Sequence, residues 1–286
     1  AWTITGVYGT GKSAFAHFLV SLCSPQESAV RQEALKIVQD SALLEQTGCQ
    51  KLISHIPDKG YVRAVVTAQQ EPLSHTIARA LDVGISSFWK AGRDRNRVAP
   101  ELVEMLGAVD DGKKINSRKL LTVIRKIARA AGVPLLLIVD ELGKTLEYAV
   151  QHQDSDDLYL LQQLAELPKE AGAQIYFVGL LHQSFADYAR RLTSAERNEW
   201  AKIQGRFASI VFRESPQQMI QLMSRAIIPS VTRKLGKQIS TYAGEWYQKI
   251  FDEPGTGNIT QEILGAVYPL HPLSALVLPE LCIDYA

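Results

Sequence analysis

A glycine-rich segment near the start of the chain constrains the fold more than any other feature. Residues 6–13 read Gly-Val-Tyr-Gly-Thr-Gly-Lys-Ser, which matches the pattern Gly-x-x-x-x-Gly-Lys-Ser/Thr at every fixed position. Residues 2–6 predict a short strand before this segment, and residues 12–22 predict a helix after it. In that context glycines let backbone N–H groups turn towards an anion, and the helix N-terminus adds its positive dipole end. The sequence therefore predicts a phosphate-binding loop after the first strand.

Nine residues of this glycine-rich loop (residues 6–13) and the helix that follows are expected to surround bound phosphates: Gly6, Val7, Tyr8, Gly9, Thr10, Gly11, Lys12, Ser13 and Ala14. The Lys12 ammonium would reach the β- and γ-phosphates, and the Ser13 hydroxyl would bind magnesium. The alternative is a glycine-rich turn that matches the pattern by chance, and the flanking strand and helix argue against it. We therefore expect ATP and Mg²⁺ at this loop.

Two carboxylates follow a second apolar segment. Residues 135–139 are Leu-Leu-Leu-Ile-Val, and Asp140 and Glu141 come directly after them. This arrangement is typical of a Walker B strand, in which Asp140 would bind magnesium and Glu141 would activate the attacking water. Taken alone, it is equally typical of a strand that enters a solvated turn. The presence of the glycine-rich loop favours the catalytic interpretation.

Polar residues near two later strands are further candidates for the site. His182 and Gln183 follow the apolar residues 174–181, and either could contact the γ-phosphate or the water; alternatively both merely begin the next helix. Arg206 precedes the last predicted strand and could reach the γ-phosphate of a neighbouring subunit. The alternative for Arg206 is a surface salt bridge.

Predicted strands alternate with predicted helices, at residues 2–6, 61–67, 135–139, 174–181 and 209–212. This alternation predicts an α/β fold with a doubly wound parallel sheet, whose ligands bind at the carboxyl ends of the strands. After Pro216 the pattern is helical only. We expect a P-loop NTPase core at residues 1–214 and a small helical lid, incomplete in this chain, at residues 215–286.

Charge, hydrophobic runs and cysteine content bear on the compartment and on possible ligands rather than on the reaction. The net charge is +1, so nucleic acid or a membrane would have to be bound by a local patch, and no apolar run approaches the roughly 18 residues of a membrane span. Cys23, Cys49 and Cys282 are widely spaced, which favours reduced thiols and a cytoplasmic protein. Because the chain opens without Met in a strand pattern, we expect it to be part of a longer protein.

The predicted helix at residues 117–131 carries a basic stripe. At about 100° per residue, one face is basic and the opposite face is apolar. The basic residues are Arg118, Lys119, Arg125, Lys126 and Arg129, and the apolar ones are Leu120, Leu121, Ile124, Ile127 and Ala128. The sequence places no aromatic residues between the cations, so a solvated helix face is the alternative to a nucleic-acid surface.

In the order of these features the chain resembles the AAA+ ATPases. Arg206, residues 210–212 and Pro216 resemble the origin-recognition and STAND-type branches, in which the corresponding arginine belongs to the motif called box VII. Residues 140–148 and 268–273 also resemble, over short strings, the large ATPases of bacterial anti-phage islands such as the BREX systems.

One departure from the AAA+ pattern concerns the lid. The late helices carry Tyr268 and His271 where the family has a nucleotide-sensing arginine, and Arg225 and Arg233 are poorly placed for that role. A contribution of the lid to nucleotide sensing is therefore not expected from its arginines.

The resemblance implies an ATP-hydrolysing domain of a larger protein that drives an oligomeric remodelling machine or switch in anti-phage defence. The implied partners are further copies of the chain, other protein subunits and, through the basic helix, nucleic acid, with no membrane. The alternative is a STAND-type regulatory switch that orders an assembly and turns over slowly. A P-loop kinase is disfavoured because Asp140 and Glu141 supply a water-activating carboxylate and no acceptor-substrate lid is apparent.

Overall fold

The computed structural model describes residues 1–7, 9–40, 46–89, 97–152, 156–169, 174–212, 216–227, 232–250 and 260–285. The chain divides into two compact units, residues 1–212 and residues 213–286. The expected boundary after residue 214 falls in the segment 213–215, which lies outside the described residues.

The first unit is an α/β structure. Its strands are β1 (Trp2–Thr5), β2 (Val62–Thr67), β3 (Leu135–Asp140), β4 (Ile175–Leu181) and β5 (Ala208–Val211). Its described helices are α1 (Lys12–Leu22), α2 (Ala29–Asp40), α3 (Gln46–Ser54), α4 (Leu73–Phe88), α5 (Pro100–Asp110), α6 (Ser117–Ala131), α7 (Gly143–Gln151), α8 (Asp157–Glu166), α9 (Phe185–Tyr188) and α10 (Ser194–Gln204). Short 3₁₀ turns follow α8 and α9, at Leu167–Lys169 and Ala189–Arg191.

All five strands are parallel and lie in the order β2-β3-β4-β1-β5. The expected α/β class with a parallel sheet is thus confirmed. β4 separates β1 from β3, with Thr5 paired to Leu181 and Val139 paired to Gly179. The glycine-rich loop, the residues after β4 and the residues after β3 therefore leave the sheet at the same carboxyl edge.

Both faces of the sheet are covered. Leu135, Leu137 and Val139 of β3 pack in a large cluster with side chains of helices α4–α10. Leu136 and Ile138 pack in a smaller cluster with side chains of β1 and α1. These five side chains are at most 3% exposed, which explains why this strand is apolar at every position rather than at alternate ones.

The second unit is helical in its described part. It consists of α11 (Pro216–Ala226), α12 (Thr232–Ile250), α13 (Gln261–Ala266) and α14 (Pro272–Tyr285), around a core of Ile220, Ala243, Leu264, Val267 and Ala275. Arg225 is exposed in α11, and the side chain of Arg233 lies outside the described residues. In the part of the chain that is described, no helix is long and apolar enough to cross a membrane.

Candidate functional site

The glycine-rich loop begins where β1 ends beside β4. The N–H of Gly6 donates to the carbonyl of Leu181 at 3.1 Å, and a Cβ at Gly6 would lie 2.6 Å from the Phe212 carbonyl oxygen. Gly9 and Gly11 have φ values of 80° and 86°, in the left-handed region that glycine tolerates best. Glycine is thus required at Gly6 by packing and at Gly9 and Gly11 by backbone conformation. Tyr8 lies outside the described residues.

Helix α1 starts at Lys12 with its N-terminus open. Gly11 occupies the N-cap position and, among the described side chains, none caps this helix end. Ser13 and Ala14 in the first turn are exposed, and Thr10 Oγ1 donates to the Val7 carbonyl at 2.9 Å within the loop. The first N–H groups of an α-helix have no partner inside the helix, so an uncapped N-terminus next to a glycine turn suits an anion.

The Lys12 side chain folds over the loop. Only 5% of Lys12 is exposed, and its Nζ donates to the carbonyls of Gly6 at 2.6 Å and Val7 at 2.8 Å. Burial lowers the pKa of Lys12, and the nearby Asp140 carboxylate opposes that shift. An ammonium group has three donors, so a third remains for a ligand oxygen when two bind loop carbonyls.

Asp140 and Glu141 leave β3 through a strained turn. Asp140 Oδ1 accepts the backbone N–H of Glu141 at 2.8 Å. Glu141 has a φ of 55°, the one positive value among the non-glycine residues that the structure describes, and such a conformation costs about 1–3 kcal/mol. The N–H of Leu142 then donates to the Leu180 carbonyl at 3.0 Å. The turn is therefore held against β4 directly after Glu141.

His182 lies close to Glu141 across the end of β4. Its Nε2 is 4.0 Å from Glu141 Oε1, while Glu141 Oε2 forms an ion pair with Lys144. Burial lowers the pKa of His182, as does the Lys12 ammonium, while Glu141 and Asp140 act in the opposite direction. Of the two expected polar residues after β4, the structure brings His182 to the carboxylates and leaves Gln183 exposed.

Lys144 is a site residue that the sequence did not predict. Its ion pair with Glu141 spans one turn at the start of α7, since the two residues are three apart in the chain. In the sequence, Lys144 could be recognised only as a cation three residues after a carboxylate at the start of a helix. Such pairs are common on solvated helices and do not indicate a site.

Arg206 lies far from this group. It forms an ion pair with Glu166, at the end of α8, and precedes β5. The N–H of Ala208 donates to the Ala1 carbonyl at 3.1 Å, so β5 begins level with the start of β1. Arg206 therefore lies at the amino edge of the sheet, opposite the glycine-rich loop of its own chain.

The basic stripe of α6 is on the surface as expected. The apolar face of the helix is buried, and Asn116 caps its N-terminus by accepting the Lys119 N–H at 3.0 Å. Lys126 Nζ donates to Glu101 of α5 at 2.9 Å, so this part of the stripe is engaged in an ion pair within the chain.

The residues available for a magnesium ion are Ser13 and Asp140. Across the described residues, no group of three or more His, Cys, Asp or Glu side chains could hold a metal ion by itself. A nucleotide-bound Mg²⁺ takes only one or two protein ligands, with phosphate and water oxygens completing its shell. The exposed Ser13 and the oriented Asp140 carboxylate fit that pattern.

Comparison of the chain with models of protein families, with curated proteins and with solved structures returns no match. The function of the site is therefore inferred from its own residues and geometry.

Proposed function

We propose that the chain binds ATP with Mg²⁺ at the glycine-rich loop and hydrolyses it. The observation that carries this proposal is the convergence at one sheet edge of an open glycine loop, a buried lysine amine and two strand-end carboxylates. Lys12, Asp140 and Glu141 all influence the pKa of His182, which places the four groups in one electrostatic environment.

Each residue has a role set by its position. Loop N–H groups and Lys12 bind the β- and γ-phosphates, and Ser13 and Asp140 hold the metal. Bound Mg²⁺ neutralises part of the phosphate charge. Glu141 orients the attacking water and accepts its proton. The lowered pKa of His182 keeps its imidazole uncharged at neutral pH. Beside Glu141, the imidazole forms a hydrogen bond with the attacking water or with the γ-phosphate.

At a finer level we propose a P-loop NTPase core of the AAA+ kind that works as an oligomer, with Arg206 acting on the nucleotide of a neighbouring copy. The resemblance to AAA+ ATPases and to anti-phage ATPases motivates a remodelling machine or switch in anti-phage defence. The position of Arg206 at the edge opposite its own loop is compatible with action between copies.

A STAND-type switch with slow turnover is the second candidate. The ion pair between Glu141 and Lys144 favours it, because Lys144 occupies one of the two carboxylate oxygens that would contact the attacking water. Continuous hydrolysis would indicate a machine, whereas slow turnover with trapped nucleotide would indicate a switch.

Lys12→Ala tests the proposal. We expect ATP affinity, measured by isothermal titration calorimetry, to be lost or greatly weakened because the phosphates lose a buried cation. Lys36→Ala is the control, since Lys36 is an exposed lysine paired with Glu33 on α2. Thermal unfolding would verify that both variants fold. An unchanged ATP dissociation constant in folded Lys12→Ala would rule out Lys12 as a phosphate ligand and reject the proposed site.

A further inference from the structure

A second cavity lies away from the proposed nucleotide site. It has a volume of about 960 Å³ and is bordered by the start of α4, the loop at residues 112–117, the end of α7 and the start of α8. Its described lining includes neither Lys12 nor Asp140 nor Glu141. This volume is at the upper end of the range of ligand-binding clefts.

Contacts between distant segments shape the wall of this cavity. His75 is 5% exposed, and its Nε2 lies 2.8 Å from the carbonyl oxygen of Lys113. Asp157 Oδ1 accepts the N–H of Leu73 at 3.0 Å and so joins the starts of α8 and α4. The Asp157 carboxylate thus faces the positive end of a helix dipole. These contacts fix the starts of α4 and α8 and the loop before α6 around the cavity.

Cations form part of the cavity lining. Lys113 and Lys114 stand on the loop before α6, and both are exposed, although the Lys113 ammonium pairs with Asp111 at 2.7 Å. Arg118, in the first turn of α6, lines an adjoining cavity of about 420 Å³ that shares Asn116 and Asp156 with the larger one. These three cations continue into the basic stripe of α6 and provide contacts for a chain of phosphates.

Aromatic rings also line the two cavities. Tyr148 and His152 stack on each other with ring centroids 4.0 Å apart and an angle of 15° between the rings, and both line the larger cavity. Tyr159 lines the adjoining cavity and is 39% exposed. Flat, accessible rings next to cations are the arrangement on which unpaired nucleobases stack. These rings come from α7, from the residue that follows it and from α8, whereas the cations lie on α6 and the loop before it.

We propose that this cavity and the adjoining surface bind single-stranded nucleic acid. Bases stack on Tyr159 and on the Tyr148–His152 pair, while Lys114 and Arg118 contact phosphates. A single strand is favoured over a duplex because the rings need unpaired bases, and over an acidic peptide because such a peptide would use the cations without the rings. The site is independent of the proposed ATPase.

Fluorescence anisotropy with labelled oligonucleotides of about 16 nucleotides, the upper end of typical site sizes, tests this proposal. One arm uses single-stranded DNA and a second uses single-stranded RNA, each over a series of salt concentrations. We expect binding to weaken with salt. In the double variant Lys114→Glu with Arg118→Glu, the log–log slope should become shallower by about 0.7 for each lost phosphate contact. Tyr159→Leu should raise the dissociation constant about 5- to 150-fold, the range of one lost base stack.

Three further variants separate this site from general electrostatics and from the glycine-rich loop. Asp156→Asn removes a negative charge from both cavities and should tighten binding. Lys202 is an exposed cation on α10 that pairs with Glu199 and lines neither cavity. Lys202→Glu reverses this charge and should leave oligonucleotide binding unchanged. Lys12→Ala should also retain binding, which excludes the glycine-rich loop as the oligonucleotide site.

Three results would overturn the proposal. The first is an absence of salt-dependent binding in both arms. The second is a double variant or Tyr159→Leu that binds like Lys202→Glu. The third combines two observations: Tyr159→Leu leaves oligonucleotide binding unchanged, and polyglutamate displaces the bound oligonucleotide. Together they would indicate a site for acidic protein segments.

Discussion

At the scale of single residues, side chains of the candidate site are held by nearby backbone groups. The Lys12 amine is buried over loop carbonyls, and the Asp140 carboxylate is oriented by the N–H of the next residue. Glu141 stands in a left-handed conformation between an ion pair and an imidazole. A strained residue persists only where its surroundings hold it, and such residues concentrate at functional sites.

Glu141→Gln should leave ATP affinity near the wild-type value and lower turnover by about two to four orders of magnitude, the usual contribution of a positioned general base. Turnover would be measured as phosphate release at saturating ATP, with affinity from calorimetry. Lys144→Met is the matched control because it also removes the ion pair but keeps the carboxylate. It should retain more activity than Glu141→Gln. Wild-type turnover in Glu141→Gln would mean that another residue positions the water.

His182 should make the fold sensitive to mild acid. Unfolded histidine takes up a proton near pH 6.5, whereas the pKa of folded His182 is lowered by burial and by Lys12. As the pH falls below about 6.5, the unfolded state binds the proton first, so the free energy of unfolding decreases until the folded pKa is passed.

Denaturant unfolding of wild type and His182→Gln at about pH 7 and about pH 5.5 would measure this effect, since the two values bracket the ordinary histidine pKa. The variant should lose less stability between them. An equal loss in both proteins would show that His182 titrates alike in the folded and unfolded states.

At the scale of elements, close backbone contacts set the spacing of helices and strands. A Cβ at Gly84 of α4 would lie 3.1 Å from the Cβ and 3.2 Å from the Cα of Ala64 on β2. At Gly179 of β4, a Cβ would lie 2.4 Å from Leu142 Cδ2, directly after the Glu141 turn. The absence of a side chain at Gly179 therefore allows the turn to approach β4.

Gly84→Val should destabilise the first unit, by about 1–3 kcal/mol, because the added methyl groups overlap the backbone of β2. Gly107→Ala is the control, since a Cβ at this exposed position of α5 meets no described atom within 4 Å. It should stabilise the helix by up to about 1 kcal/mol. Chemical denaturation would measure both changes. Stabilisation by Gly84→Val would contradict the tight contact between α4 and β2.

At the largest scale, the sheet separates Arg206 from the other candidate site residues of the same chain. The glycine-rich loop, Asp140, Glu141 and His182 lie at the carboxyl edge, and Arg206 lies at the amino edge, paired with Glu166. An arginine there is remote from the glycine-rich loop of its own chain. If it takes part in hydrolysis, it does so on another copy and must first leave Glu166.

Arg206→Ala should therefore retain ATP affinity in the isolated chain but lose ATP-dependent assembly and turnover, by about 10³- to 10⁵-fold for an arginine finger. Mixing Arg206→Ala with Glu141→Gln should restore activity, because some interfaces join an intact Glu141 to an intact Arg206. Glu166→Gln is the control: it removes the partner of Arg206 within the chain and should keep turnover. No recovery on mixing, with assembly unchanged in Arg206→Ala, would reduce Arg206 to a surface ion pair.

Local patterns in the sequence determined much of this protein. The helix at α1 and the helix at α6 have the predicted bounds, and β3 is buried on both sides as its uninterrupted apolar run indicated. Gly9 and Gly11 were recognisable because their positions reflect backbone conformation, which involves only neighbouring residues. For the same reason the candidate roles of Lys12, Asp140 and Glu141 could be predicted before any fold was known.

Which of these segments meet depends on packing between elements that are distant in the chain. The strand order places β4 between β1 and β3, and this brings His182 rather than Gln183 beside Glu141. The ion pair between Arg206 and Glu166 joins residues that are distant in the chain, and the aromatic residues of the cavity lining likewise come from separate segments. Hydrophobic periodicity indicates which face of an element is buried, but not which neighbour covers that face. The hydrophobic effect is non-directional, so the choice of neighbour depends on how side chains pack across the chain.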